Sequence, residues 1–162
     1  MKYIKTAQTR SDFKRQWLVM VDDEDYEFLS KFNWQVDKYN TVQTHKTDKI
    51  NNTLIHRLIM NPPNGVEIDH IDGNRLNNRK SNLRFATSSQ NKINRGPRKD
   101  NTSGFKGVSL NKKLNKYGVR LMIDGKYKHL GLFNNKIEAA KVYNENALKY
   151  YGEFAWLNVI CI

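Results

Sequence analysis

The sequence predicts an α+β chain of two small modules: a strand, loop, strand and short helix, then a three-stranded antiparallel sheet braced by one helix. Three observations carry this reading. VEIDHI alternates with the period of a half-buried strand, stops at Asp72-Gly73-Asn74, and is followed by a second short run, LRFAT. Asp124-Gly125 separates two alternating runs, a hairpin signal because both residue types tolerate positive φ. Ile137, Ala140, Tyr143, Ala147 and Tyr151 share roughly one helical face, and Gly152 can end that helix.

Taken in order, residues 1–53 predict a scaffold: a strand over Trp17 to Val21, a short helix from about Asp23 to Phe32, and an irregular strand pair. The run DDEDYE at 22–27 starts the helix, with Asp22 as cap and the acids complementing the positive end of the helix dipole. Residues 54–95 open with the apolar LIHRLIM, pause at Asn61-Pro62-Pro63-Asn64-Gly65, and carry the strand-loop-strand. Thr87-Ser88-Ser89-Gln90 has the form of a capping box, and Gly96-Pro97 stops the helix it starts. Residues 96–102 have the composition of a basic linker. Residues 103–162 hold short strands around Gly107-Val108, Tyr117 to Ile123 and His129 to Phe133, then a helix capped from Asn135-Lys136-Ile137-Glu138.

The chain has 162 residues, so neither module owns a large core. It carries 28 Lys and Arg against 16 Asp and Glu, a net charge of +12, which favours a polyanionic partner, nucleic acid first. Eleven basic residues and two acidic ones lie from Lys92 to Lys128, so +9 of that charge is one patch. No apolar run reaches the roughly 18 residues of a membrane span, and MKYIKTAQTR lacks the apolar stretch of a signal peptide. The single cysteine, Cys161, excludes an internal disulfide and a multi-cysteine zinc site, so a reducing, cytoplasmic setting is expected.

Residues 69–91 hold what phosphodiester cleavage needs: a base for the attacking water and a cation to offset charge on the phosphate. His70 is the natural base, since imidazole titrates near working pH. Asp69 is a hard anionic ligand, and the Asn91 carboxamide offers a second oxygen. Asn82 between them can hydrogen-bond His70 or the backbone and so fix the imidazole's direction. Neighbours on a regular strand point to opposite faces, so Asp69 and His70 share one site only if the strand distorts before Asp72. A lone Asp-His pair is ordinarily a surface turn; here the combination of residues and elements carries the reading. His45, His56 and His129, each taken alone, read as structural or solvent-exposed.

The pattern Asp69-His70-Ile71-Asp72-Gly73-Asn74, then Asn77-Asn78-Arg79-Lys80-Ser81-Asn82-Leu83-Arg84, then Asn91, resembles HNH endonucleases, especially the homing endonucleases of phages and mobile introns. His56-Arg57-Leu58 also looks like the segment those enzymes place before the motif. The resemblance implies a ββα-metal core with His70 as base, Asn82 in the structural middle position, and Asp69 and Asn91 holding one divalent ion. Mg²⁺ is expected, with Mn²⁺ open, and no zinc. Asn91 stands where many members carry His, and the CxxC pairs of some relatives are absent. The setting implied is a bacterium or a phage-infected host.

The segment SGFKGVSLNKKLNKYGVRLMIDGKYKHLGLFNNKIEAAKVYNENALKYYGEFAWLN resembles the plant ethylene-response-factor (APETALA-type) DNA-binding domain. The resemblance implies a sheet laid in the major groove, with Lys106, Ser109, Lys113, Lys116, Tyr117, Arg120, Lys126 and Lys128 at the reading positions. Arg95, Arg98 and Lys99 of the basic patch join them as expected DNA contacts. Lys106, Ser109 and Lys113 replace arginines of the plant domains and lack the bidentate fork to guanine, so phosphate positioning should dominate. The expectation is a homing-type HNH endonuclease acting on double-stranded DNA as a monomer, with a dimer open. The alternative is a catalytically inactive DNA-binding regulator. An RNA-binding module has less support, because aromatic-rich strand signatures are missing.

Overall fold

The computed structural model describes residues 1–6, 16–44 and 53–160; His45 and Cys161 lie outside them. The chain divides into two compact units, Met1–Ser88 and Ser89–Ile162.

In the first unit, β1 (Lys2–Lys5) pairs antiparallel with β2 (Leu18–Val21). Val19 and Val21 of β2 are buried while Leu18 is exposed, the alternation expected of a strand with one covered face. Next comes α1 (Asp23–Leu29), whose first turn holds Asp23, Glu24 and Asp25. Asp22 does not cap it through its side chain. Its carboxylate instead accepts the backbone N–H of Lys80 at 2.8 Å, and the Lys80 ammonium reaches Glu24 at 2.6 Å and Asp25 at 3.2 Å. The acidic run therefore clasps a distant loop. The helix stops at Leu29, short of the expected Phe32, where the Trp34 indole N–H donates to the Leu29 carbonyl at 2.8 Å and satisfies a helix-end acceptor.

β3 (Trp34–Val36), β4 (Val42–Thr44) and β5 (Thr53–Leu54) form a second antiparallel sheet. LIHRLIM folds as α2 (Ile55–Met60), ended by Asn61 in the left-handed region at φ 42°. One core of Ile4, Val19, Val21, Leu29, Trp34, Val42 and Ile55 takes in Leu58, Ile59 and Leu76 at its margin. The expected scaffold and the segment that follows it thus share a single apolar interior. β6 (Glu67–His70) and β7 (Leu83–Ala86) make an antiparallel pair, joined through a 3-10 turn at Lys80–Asn82. α3 (Ser88–Ile93) follows, straddling the division between the units.

In the second unit, β8 (Val108–Asn111), β9 (Lys116–Ile123) and β10 (Lys126–Phe133) form a three-stranded antiparallel sheet in the order β10-β9-β8. Asp124 and Gly125 turn the hairpin at φ 48° and 77°, positive at both positions as a two-residue loop requires. Asn135 caps α4 (Lys136–Tyr151) by accepting the Ile137 N–H at 2.8 Å. Ala139, Ala140, Tyr143 and Ala147 of α4 bury against Val108, Val119 and Leu121 of the sheet. Among the described residues, no helix is long and apolar enough to cross a membrane.

Gly107 sits beneath this contact at φ 74°, and a methyl group there would run into the Tyr143 ring and lie 2.9 Å from the Arg120 carbonyl. Gly107→Ala is therefore expected to destabilise the second unit by about 3 kcal/mol, since both the backbone and the packing resist it. Thermal unfolding followed by circular dichroism measures this; an unchanged transition would contradict the packing described.

Candidate active site

β6 carries both Asp69 and His70. Its ladder with β7 keeps register to the end, Asp69 opposite Arg84 and His70 opposite Leu83, and the chain turns directly afterwards, with the Gly73 N–H donating to the His70 carbonyl at 2.8 Å. The distortion expected before Asp72 thus falls after His70 and not between it and Asp69. The two side chains leave the strand on opposite sides. Both are buried, at 4% and 7% exposure, which sets the site apart from a solvated surface turn.

Asp69 faces its cross-strand partner: Arg84 donates from Nε at 2.9 Å and from Nη2 at 2.7 Å, both to Oδ2. A buried carboxylate needs such compensation. His70 faces Asn78 and His56. Its Nε2 lies 3.1 Å from Asn78 Oδ1, and the His56 ring meets it edge-on, 5.3 Å between centroids at 88°. Burial lowers the His70 pKa, against opposing pulls from the Asn78 hydrogen bond and the Asp72 carboxylate, and the net position is below the ordinary imidazole value. Burial, then the neighbouring His70 and Arg57, takes His56 down to about 4. Both rings are therefore neutral at pH 7.

The loop between β6 and β7 is fastened by amides. Asn82 donates from Nδ2 to Asp72 Oδ1 at 2.9 Å and to the Asn77 carbonyl at 2.8 Å, while its Oδ1 accepts the Asp72 N–H at 3.1 Å. Asp72 also receives the Asn77 amide at 2.8 Å and the Asn74 N–H at 2.8 Å. Burial pushes the Asp72 carboxyl upward, but these hydrogen bonds outweigh it and hold the pKa below the ordinary value. Of the two partners expected for Asn82, the ring and the backbone, its amide bonds the backbone and Asp72, whereas Asn78, which the sequence did not single out, hydrogen-bonds the His70 ring. His56, which the sequence taken alone reads as structural or solvent-exposed, meets the His70 ring, and His56-Arg57-Leu58 at the head of the segment was the available signal.

Asn91 lies on α3 in the second unit. A carboxylate at Asp69 and a carboxamide at Asn91 have the oxygen chemistry of a hard divalent cation. Among the described residues, no three His, Cys, Asp or Glu side chains gather to hold a metal ion.

The expected DNA contacts divide when the sheet register is applied. Ser109, Asn111, Lys116, Arg120, Met122, Tyr127 and His129 fall on the face turned from α4, with the Arg120 guanidinium 4.7 Å from the Tyr127 ring centroid. Lys113 lies in the turn between β8 and β9. Tyr117, Lys126 and Lys128 fall in register with the face that α4 covers, and Lys128 donates to the Tyr150 hydroxyl at 2.6 Å. Lys106 turns inward: its ammonium donates to the Ile93 carbonyl and, at 2.6 Å, to that of Arg95, and burial lowers its pKa to about 8. Arg95 and Lys99 are exposed, as is Arg98, which pairs with Asp100 at 3.1 Å.

Comparison with known proteins places this geometry. Residues 54–93, from β5 through α3, match the model of an HNH endonuclease family. An uncharacterized HNH endonuclease of Acanthamoeba polyphaga mimivirus is 32% identical over 135 residues, covering 82% of this chain and 70% of the relative. Protein 3.8 of Escherichia phage T7 is 36% identical over 93 residues, 57% of this chain and 76% of the relative. No solved structure matches the chain. With the Asp69-His70 strand, its amide-fastened loop and the following short helix inside the matched span, the chain belongs to the HNH endonuclease family.

Proposed function

We propose that the chain is a metal-dependent DNA endonuclease of the homing type. The observation that carries this is His70, neutral, buried and held by a hydrogen bond at the end of β6 inside the span that matches the family. Oriented and uncharged, it takes a proton from water as the water oxygen bonds to phosphorus and the bond to the leaving sugar oxygen breaks. Asp69 and Asn91 are the residues that would hold a divalent ion, Mg²⁺ or Mn²⁺. When bound, such an ion supplies positive charge for the phosphate and the leaving oxygen. Asn82 keeps the loop between His70 and β7 in shape through its bonds to Asp72 and the Asn77 carbonyl.

The second unit supplies DNA affinity through the open sheet face, in the manner of ethylene-response-factor domains. Ser109, Asn111, Lys116, Arg120, Tyr127 and His129 line that face, Lys113 extends it at the turn, and Arg95, Arg98 and Lys99 add phosphate contacts. Arg120, stacked against Tyr127, is the one arginine on the sheet and so the residue able to fork onto a guanine edge.

Three outcomes are expected. His70→Ala should lower metal-dependent cutting of plasmid DNA by about 10²–10⁴-fold with DNA affinity unchanged; equal cutting by the variant and the wild type would remove His70 from the chemistry. Lys116→Ala should reduce the salt dependence of duplex binding by about one released counterion, while Lys106→Met leaves it unchanged because that ammonium is turned inward. Titrated binding at several salt concentrations separates the two. Finally, the folded pKa of His56 near 4 lies below the 6.5 of an unfolded chain, so the unfolded state binds the extra proton as pH falls. Stability of the first unit should decline from pH 6.5 to 4 by roughly 2–3 kcal/mol and then flatten. His56→Phe should make that slope shallower in denaturant titrations.

A further inference from the structure

We propose that Asn78 is the positioning residue for the base: it fixes the His70 imidazole as the Nε2–H tautomer and so makes Nδ1 the atom that takes the proton. This rests on the reading of His70 as base. The argument begins at Asn78 Oδ1, an oxygen that only accepts, 3.1 Å from His70 Nε2. A hydrogen bond there requires the proton on Nε2, and a neutral imidazole with Nε2–H carries its lone pair on Nδ1.

That conclusion depends on which end of the amide faces the ring, and a second contact decides it. Asn78 Nδ2 donates to the Arg75 carbonyl at 3.0 Å. Flipping the amide would press its oxygen against that carbonyl oxygen, exchanging a hydrogen bond for a repulsion inside the protein. Asn78 is wholly buried, so water cannot relieve the conflict. The rest of the residue is held as well: its backbone N–H donates to the Met20 carbonyl at 2.8 Å. Arg75 is itself anchored, its guanidinium donating to the Tyr39 carbonyl at 3.2 Å and Thr41 Oγ1 at 3.0 Å. The chain of constraint runs from a carbonyl to an amide to a ring, with the edge-on His56 ring limiting how the imidazole turns.

Two asparagines therefore divide one task. Asn82 spends its hydrogen bonds on Asp72 and the loop backbone, and Asn78 governs the ring.

The test is long-range ¹H–¹⁵N correlation spectroscopy on the full chain with labelled histidine, at neutral pH without added metal, with His70 assigned from the spectrum of His70→Ala. The expected wild-type result is a protonated Nε2 and an unprotonated Nδ1 on His70; a proton on Nδ1 overturns the proposal. Asn78→Asp keeps an acceptor toward Nε2 but sets a second oxygen against the Arg75 carbonyl and a negative charge beside the ring, so it should keep the proton on Nε2 while folding less stably and cutting more slowly than wild type. Asn78→Ala removes the acceptor and should give mixed tautomers, with kcat about 10–100-fold lower and KM unchanged. A purely structural role for Asn78 would lower folded content and leave the ring's tautomer in the folded fraction untouched, which also overturns the proposal. If Asn78→Ala does not fold, the wild-type spectrum and Asn78→Asp decide. A wild-type chain with Nε2–H that never cuts DNA overturns the base assignment and leaves tautomer control by Asn78 standing.

Discussion

The peptide group of Met20 holds the nuclease unit in working order. Its N–H donates to the Leu76 carbonyl and its carbonyl accepts from the Asn78 N–H, both at 2.8 Å, as an isolated bridge between β2 and the loop that follows His70. Asp22, two residues on, takes the Lys80 N–H. Each bond is worth on the order of 1 kcal/mol net, and at the buried Asn78 leaving the backbone N–H unpaired would cost more than its bond gains. The loop between β6 and β7 is therefore held from outside by a strand that precedes it by more than half the length of the unit. Asp72 and Asn82 brace it from within.

From this clamp the chemistry of the strand end follows. Because the loop is fixed, Asn78 presents a fixed amide, and His70 meets a defined partner instead of water. Because β6 stays regular through His70, Asp69 is given to Arg84 on the other side. Two ionisable neighbours thus sit in unlike surroundings: a carboxylate neutralised by a guanidinium, and an imidazole kept uncharged by burial.

Much of the fold was legible because it is local. Alternation gave the β6 and β7 strands, Asp124-Gly125 gave the hairpin, and the Asn135 cap lies where its residue type predicts it. Asp69 and His70 were legible as a pair of types, but their opposite orientations were not, since register only appears once the partner strand is known. Asn78 was hidden because its bonds reach Met20 and Arg75 as backbone groups, which carry no residue-type signal. His56 was set aside as a lone histidine because nothing in a sequence brings it to a residue fourteen positions on. The lysines of β10 are a different case. A two-residue turn pairs Ile123 with Lys126 and Met122 with Tyr127, so up to the register shift after His129 the odd positions of β10 share a face with the even positions of β9. That parity was available at Asp124-Gly125 and would have moved attention from Lys126 and Lys128 to Tyr127 and His129.

The core of the first unit has a consequence for any attempt to borrow its active centre. Ile4, Val19, Val21, Trp34 and Val42 come from before residue 53, whereas Ile55, Leu58, Ile59 and Leu76 come from within the family-matched span. Cutting the chain at that boundary would strip the matched segment of most of its apolar interior and of the Met20 clamp together. The segment recognised as a family motif is thus not a portable cassette; a graft that carried the cutting chemistry to a new protein would have to bring the opening strands with it.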